Sequence, residues 1–139
     1  ITLFAGGLLT VQAKTSPLFR AGDEVAMFEF LADSGEPGCL VVSGFSTGNA
    51  LPAWAPMRVV IGHGPESAGL AVLQEQVMRF YNPQTEDSWR KDWLGLQEAC
   101  YVFWGPAEQA LGSWDPRQAE YLSVMSQLGE YWLLKVELE

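Results

Sequence analysis

The single histidine, His63, lies in the stretch Val59-Val60-Ile61-Gly62-His63-Gly64-Pro65-Glu66-Ser67. An imidazole titrating near neutrality can serve as a general base or a ligand. Upstream, Gly44-Phe45-Ser46-Thr47-Gly48 matches the G-x-S-x-G pattern of serine hydrolases letter for letter. Ser46 and His63 would then be nucleophile and base. That chemistry needs the serine on a sharp turn leading from a strand into a helix. Here the chain is expected to run on as a loop through Asn49 and Pro52, so hydrolysis is the minor reading. No second histidine or cysteine stands at ligand spacing from His63, which gives no metal set. The simpler role for its ring is to bond a backbone carbonyl or Glu66 and fix the turn.

Glu108 follows Gly105-Pro106, and most simply caps its own short helix by accepting free N–H groups. Trp54, Trp104 and Trp114 fall in or beside loops at strand ends. Their faces would suit a sugar ring, although burial in a small core is the simpler account. Gly62 to Ser67 is not a nucleotide loop, because it lacks the lysine and the glycine spacing of either phosphate fingerprint. The helix that follows can still accept an anion at its start. Ser43, Ser46 and Thr47 stand at the end of an apolar run, where open α/β sheets bind their ligands.

The elements that must position these groups follow from periodicity. Asp23 suits the N-cap of a helix to about Asp33, with Val25, Phe28 and Leu31 on one face and Met27 and Phe30 broadening it. Cys39-Leu40-Val41-Val42-Ser43, Met57 to Ile61, and Cys100-Tyr101-Val102-Phe103-Trp104 are unbroken apolar runs, the pattern of strands buried on both faces of a parallel sheet. Between them, Leu70, Leu73, Val77 and Phe80/Tyr81 mark a helix. A second helix capped by Thr85 carries Trp89, Trp93 and Leu96. Gly105-Pro106 opens a short helix closing near Gly112. Tyr121–Leu128 and Tyr131–Leu138 form a hairpin, with Gly129 first in a type II′ turn. Trp132, Leu134 and Val136 face the core, and Tyr131, Lys135 and Glu137 the wetter side. The expected fold is a three-layer α/β domain. Its mixed sheet has three central parallel strands and a C-terminal antiparallel β-hairpin.

At 139 residues the chain fits one domain. Residues 1–22 read as an apolar arm and linker, or the outer end of a membrane helix, and residues 23–139 as the α/β domain. The apolar start is shorter than the roughly 20 residues that span a bilayer. The net charge of -9 excludes nucleic acid and disfavours anionic membrane surfaces. Cys39 and Cys100 each open a strand. Small buried thiols are the simpler reading, and a disulfide is the alternative in an oxidising compartment.

Several short motifs occur together in order. They are Asp23-Glu24-Val25-Ala26 to Phe30-Leu31, Leu40-Val41-Val42-Ser43, Thr47-Gly48, Leu51-Pro52-Ala53, Arg58-Val59, Gly62-His63 and Glu66-Ser67. Tyr101 to Pro106, Glu108, Ala110-Leu111-Gly112, Tyr131 and Lys135-Val136 complete the set. This series resembles the C-terminal soluble domains of family 39-like (dolichyl-phosphate-mannose mannosyltransferase-like) GT-C membrane glycosyltransferases. Glu66-Ser67 departs from it, standing where an acidic residue followed by threonine is expected.

The resemblance implies a parent that transfers a sugar from a polyprenyl-phosphate carrier, with this domain outside the cytoplasmic membrane. Nothing here corresponds to the loop between early membrane helices that holds the catalytic acid of such enzymes. The chain is therefore expected to be an accessory domain with no catalytic residues and no cofactor. Its partners would be the membrane-embedded part of the same parent and, through its loops, a sugar or polyprenyl phosphate. Contact is expected from Ser46, Thr47, Asn49, Gly62, His63, Glu66, Ser67, Gly105 and Glu108. The alternatives are a stand-alone, cytoplasmic ligand-binding or interaction module, and a small serine hydrolase.

Overall fold

The computed structural model describes residues 19–62 and 69–138. Five strands form one mixed sheet: β1 (Leu40–Val42), β2 (Arg58–Val59), β3 (Ala99–Trp104), β4 (Leu122–Leu128) and β5 (Tyr131–Val136). Their order across the sheet is β2-β1-β3-β5-β4. β1 pairs in parallel with both β2 and β3, while the β4–β5 hairpin adds to β3 antiparallel, with Val102 opposite Leu134 and Trp104 opposite Trp132. The expected mixed sheet is present. However, β2 is a two-residue edge strand, not a central one: it pairs on one side only, with Arg58 opposite Leu40 and Val59 opposite Val41 of the three-residue β1.

Helix α1 (Gly22–Ser34) covers one face, where Met27, Phe28 and Leu31 pack with Val41, Tyr101, Phe103 and Leu133. Helices α3 (Leu70–Tyr81) and α4 (Asp87–Gln97) cover the other, where Val77, Phe80, Trp93 and Leu94 pack with Val42, Val102 and Leu134. Because both faces are covered, Leu133 and Leu134 are each fully buried although they point oppositely. Tyr131 packs against the α1 layer, so the face expected to be wet is wet only at its margin, where Lys135 is exposed.

The stretch from Gly44 is helical where a loop was expected. Helix α2 (Phe45–Ala50) leaves β1 at once, and a 3-10 turn, Leu51–Ala53, follows. Its small residues permit close packing: a Cβ on Gly48 would stand 1.8 Å from the Ile61 carbonyl oxygen, and one on Gly62 would stand 2.5 Å from that of Gly48. A larger side chain at either position would push α2 off the end of β2.

Two helix starts and one helix end differ by a residue or more from expectation. α1 begins after Ala21, leaving Asp23 in its first turn, where its charge favours the helix dipole. α4 begins after Glu86, while the Thr85 hydroxyl donates to the Arg79 carbonyl at 2.7 Å. The short helix α5 is only Pro106–Gln109.

The buried stripe of α4 is also rotated. Leu96 is 79% exposed, whereas Arg90 and Leu94 are buried. Arg90 is tolerated because every side of its guanidinium is used. It donates to the Phe80 and Asn82 carbonyls that end α3, pairs with Asp87 at 2.8 Å, and lies 3.9 Å over the Trp114 ring.

Cys39 and Cys100, one residue before β1 and near the start of β3, form a disulfide across 61 residues of chain. The reading as free buried thiols is thereby corrected. Parallel pairing of β1 with β3 is what brings the two side by side.

Candidate functional site

The carboxyl ends of β1, β2 and β3 gather the loops that carry most of the candidate residues. Val42 leads through Ser43 and Gly44 into α2, and Trp104 leads through Gly105 into α5. Glu108 lies between these exits and is completely buried. Its Oε2 accepts the Gly105 N–H at 3.0 Å, which is the cap expected from sequence. Its Oε1 accepts the Gly44 N–H at 2.8 Å, a bond to a residue 64 positions away. One carboxylate thus closes the exits of two adjacent strands.

Burial pushes the Glu108 carboxyl above its usual range, while the facing Thr47 hydroxyl and the Gly44 and Gly105 amides draw it back down. From α3, the Tyr81 hydroxyl donates to the Phe103 carbonyl at 2.7 Å and reaches that of Val42 at 3.4 Å. Burial, with Glu108 nearby, holds this phenol well above its ordinary pKa. Ser43 and Thr47 are fully buried beside these groups, and the Ser43 hydroxyl has no hydrogen-bond partner among the described residues.

The remaining candidates divide by exposure. Ser46 and Asn49 are exposed on the outer side of α2. Arg20, paired with Glu24 at 2.8 Å, donates to the Ser46 carbonyl at 2.7 Å and lies 3.4 Å from its hydroxyl. Ser46 sits within a regular helical turn. Glu98 is the only non-glycine residue with positive φ among the described residues, so Ser46 lacks the strained backbone of a nucleophile elbow. Gly62 and Gly105 are buried. His63, Glu66 and Ser67 lie outside the described residues.

The three tryptophans part in the same way. Trp114 packs edge-on against Phe80. Trp104 is buried against Trp132, and the Arg117 guanidinium, held by Asp115 at 2.7 Å, lies 4.8 and 4.7 Å over these two rings. Arg117 in turn keeps the Asp115 carboxyl below its usual pKa. Trp54, 46% exposed, lies where β2 starts, at the opposite end from the loops. At that same end, beside the start of β3, an open groove of about 1000 Å³ is lined by Asp87, Asp92, Glu120 and Glu137 with Lys91. Among the described residues, no three histidine, cysteine or acidic side chains stand together as a metal site.

Periodicity pointed to Tyr81 only as a core residue, and nothing local marked the bond from Glu108 to Gly44. The glycine and small-residue run from Gly44 to Ala50 was the available signal for the close approach of α2.

No protein-family model and no curated protein matches the chain. Among solved structures, it is similar to the C-terminal globular domain of an oligosaccharyltransferase from Archaeoglobus fulgidus, with a TM-score of 0.60 and 9% identity. The likeness covers 85% of this chain and 99% of that one, and at this identity it is a likeness of fold.

Proposed function

We propose that the chain is the extracytoplasmic accessory domain of a polyprenyl-phosphate-sugar-dependent membrane glycosyltransferase and does not itself catalyse transfer. The observation that carries this reading is the domain-for-domain match to an oligosaccharyltransferase's C-terminal globular domain, which leaves almost none of that domain unpaired. The series of motifs from Asp23 to Val136 points to the same class of parent. The Cys39–Cys100 disulfide supports an oxidising compartment, since such bonds are rare in the cytosol. Ser46 lies inside α2 with an unstrained backbone, not on a strained turn before the helix, which supports the absence of hydrolase chemistry.

Contact with a sugar or carrier phosphate is assigned to the exposed rim of α2, at Ser46 and Asn49, together with His63, Glu66 and Ser67. Thr47, Gly62, Gly105 and Glu108 support that rim from beneath. The test uses the full-length parent in membrane vesicles supplied with a polyprenyl-phosphate sugar. Sugar turnover by the parent, and none by the 139-residue chain alone, is expected; a parent without turnover would sink the assignment. In intact cells treated with a reductant, a membrane-impermeant maleimide should label Cys39 and Cys100. Labelling only after lysis would place the domain on the cytoplasmic side. An active-site serine probe should not distinguish wild type from Ser46→Ala.

A further inference from the structure

The chain enters the sheet domain at the carboxyl end of its parallel strands. Phe19, 36% exposed, leads to Arg20, whose guanidinium donates to the Ser46 carbonyl of α2 at 2.7 Å and pairs with Glu24 at 2.8 Å. Three residues on, Asp23 lies against Gly129 in the β4–β5 turn. That turn is at the same end, because β5 starts opposite the last residues of β3. The two ends of the domain also differ in charge. α2 carries no charged side chain, and none occurs from residue 39 to residue 57, in a chain with a net charge of -9. At the opposite end, Glu120 and Glu137 stand with Asp87 and Asp92 around the open groove.

We infer that α2 and the entry at Phe19 and Arg20 form the surface by which this domain docks on the membrane-embedded part of its own parent, with the acidic groove turned away from the bilayer. The inference rests on the accessory-domain reading, by which residues 1–13, all uncharged, end a membrane helix. Residues 14–18 are then the whole connection to Phe19. Five residues reach at most about 18 Å when fully extended, whereas a small domain is about 30 Å across. The end that lies against the membrane is therefore the end where the chain enters, and Arg20 holds α2 to it. Charge favours the same orientation. An anionic bilayer surface repels the acidic groove, while α2 offers hydroxyl, amide and apolar groups and no carboxylate to bury. That repulsion acts on the whole acidic domain, so the surface α2 rests on is protein and not lipid.

The test is the reactivity of single cysteines, Asn49→Cys and Ser46→Cys on α2 and Glu120→Cys at the far end, towards a bulky polyethylene-glycol maleimide. Cys39 and Cys100 are joined to each other and do not compete. Each variant is compared between the full-length parent and the 139-residue chain alone. A covered thiol reacts only through opening, so Asn49→Cys and Ser46→Cys should react at least about tenfold more slowly in the parent, and Glu120→Cys within about twofold of the chain alone. The protection should hold both in membrane vesicles and in detergent. Equal reactivity of both α2 cysteines, or protection of Glu120→Cys instead, would overturn the docking surface. Protection lost in detergent would assign α2 to lipid and overturn the stated partner. Sugar turnover is measured separately, on the unmodified parent. Turnover without protection sinks the docking surface alone, and protection without turnover sinks the accessory-domain reading alone.

Discussion

The parallel pair β1–β3 is tied at both ends, by unlike means. At the amino end, Cys39 and Cys100 are joined covalently, in a half-buried position. At the carboxyl end, the fully buried Glu108 carboxylate joins Gly44 to Gly105 through hydrogen bonds alone. Both ties link residues more than 60 positions apart. The covalent tie acts chiefly by restricting the unfolded chain, and depends on the redox state of the surroundings. The carboxylate tie acts in the folded state, and its strength comes from leaving no buried donor unpaired. A short strand such as β1 has few ladder bonds of its own, so what holds its ends matters more than its length.

The largest effect is expected at the carboxyl end. Glu108→Ala leaves the Gly44 and Gly105 N–H groups buried without acceptors, at about 2 kcal/mol each, and should cost roughly 4 kcal/mol in urea unfolding. A cost below about 1 kcal/mol would show that water replaces the carboxylate and that the tie is weak.

The amino end comes next. Replacing both cysteines by alanine should cost about 3 kcal/mol, within the usual range for a native disulfide. Reductant should lower the melting temperature of wild type but not of this double variant. If wild type proved insensitive to reductant, the covalent half of the comparison would fall.

Glu108→Gln sharpens the contrast further. The amide keeps one acceptor oxygen and turns an NH2 group towards the other donor, so about 2 kcal/mol should be lost. A loss equal to that of Glu108→Ala would mean that shape contributes nothing.

The smallest effect is a pH dependence confined to the carboxylate tie. The folded state holds the Glu108 proton more tightly than the unfolded chain, because burial raises its pKa from 4.5. Ionisation is therefore less favourable in the folded protein. The stability contributed by this group should fall as pH rises from about 4.5 through the raised pKa, then level off. Asp115, whose pKa Arg117 lowers, works oppositely: its contribution is lost as pH falls through its lowered pKa. The Glu108 term is thus read as the difference between wild type and Glu108→Gln, each followed by thermal unfolding across that range. Parallel pH profiles would remove it. The nearby Tyr81 and Tyr131 phenols, both raised, stay neutral throughout this window.

Much of the frame was written locally. The apolar runs at Leu40 and Tyr101, the period from Leu70 to Tyr81, and the glycine of the β4–β5 turn are properties of neighbouring residues. Gly129 takes a φ of +58°, as a type II′ turn requires at that position. Such signals survive because propensity and periodicity act over a few residues, and the strands and helices they name are the ones present. The half of the Glu108 cap that stays within its own turn, to Gly105, was legible for the same reason.

The rest depended on which distant segments meet. Pairing in the parallel register set Cys39 beside Cys100 and brought Gly44 within reach of Glu108. It also displaced β2 to the edge. The ends of α3 and α4 met so that Arg90 found two carbonyls and a tryptophan face, making a charged residue part of the core and leaving Leu96 outside. Apart from α2 and the rotated face of α4, sequence determined the elements and their apolar faces, since those follow from local backbone preference and the removal of apolar surface from water. Tertiary structure alone decided the fate of the buried charges and the cysteines. A buried polar group is stable only with its partners, and here those partners come from remote parts of the chain.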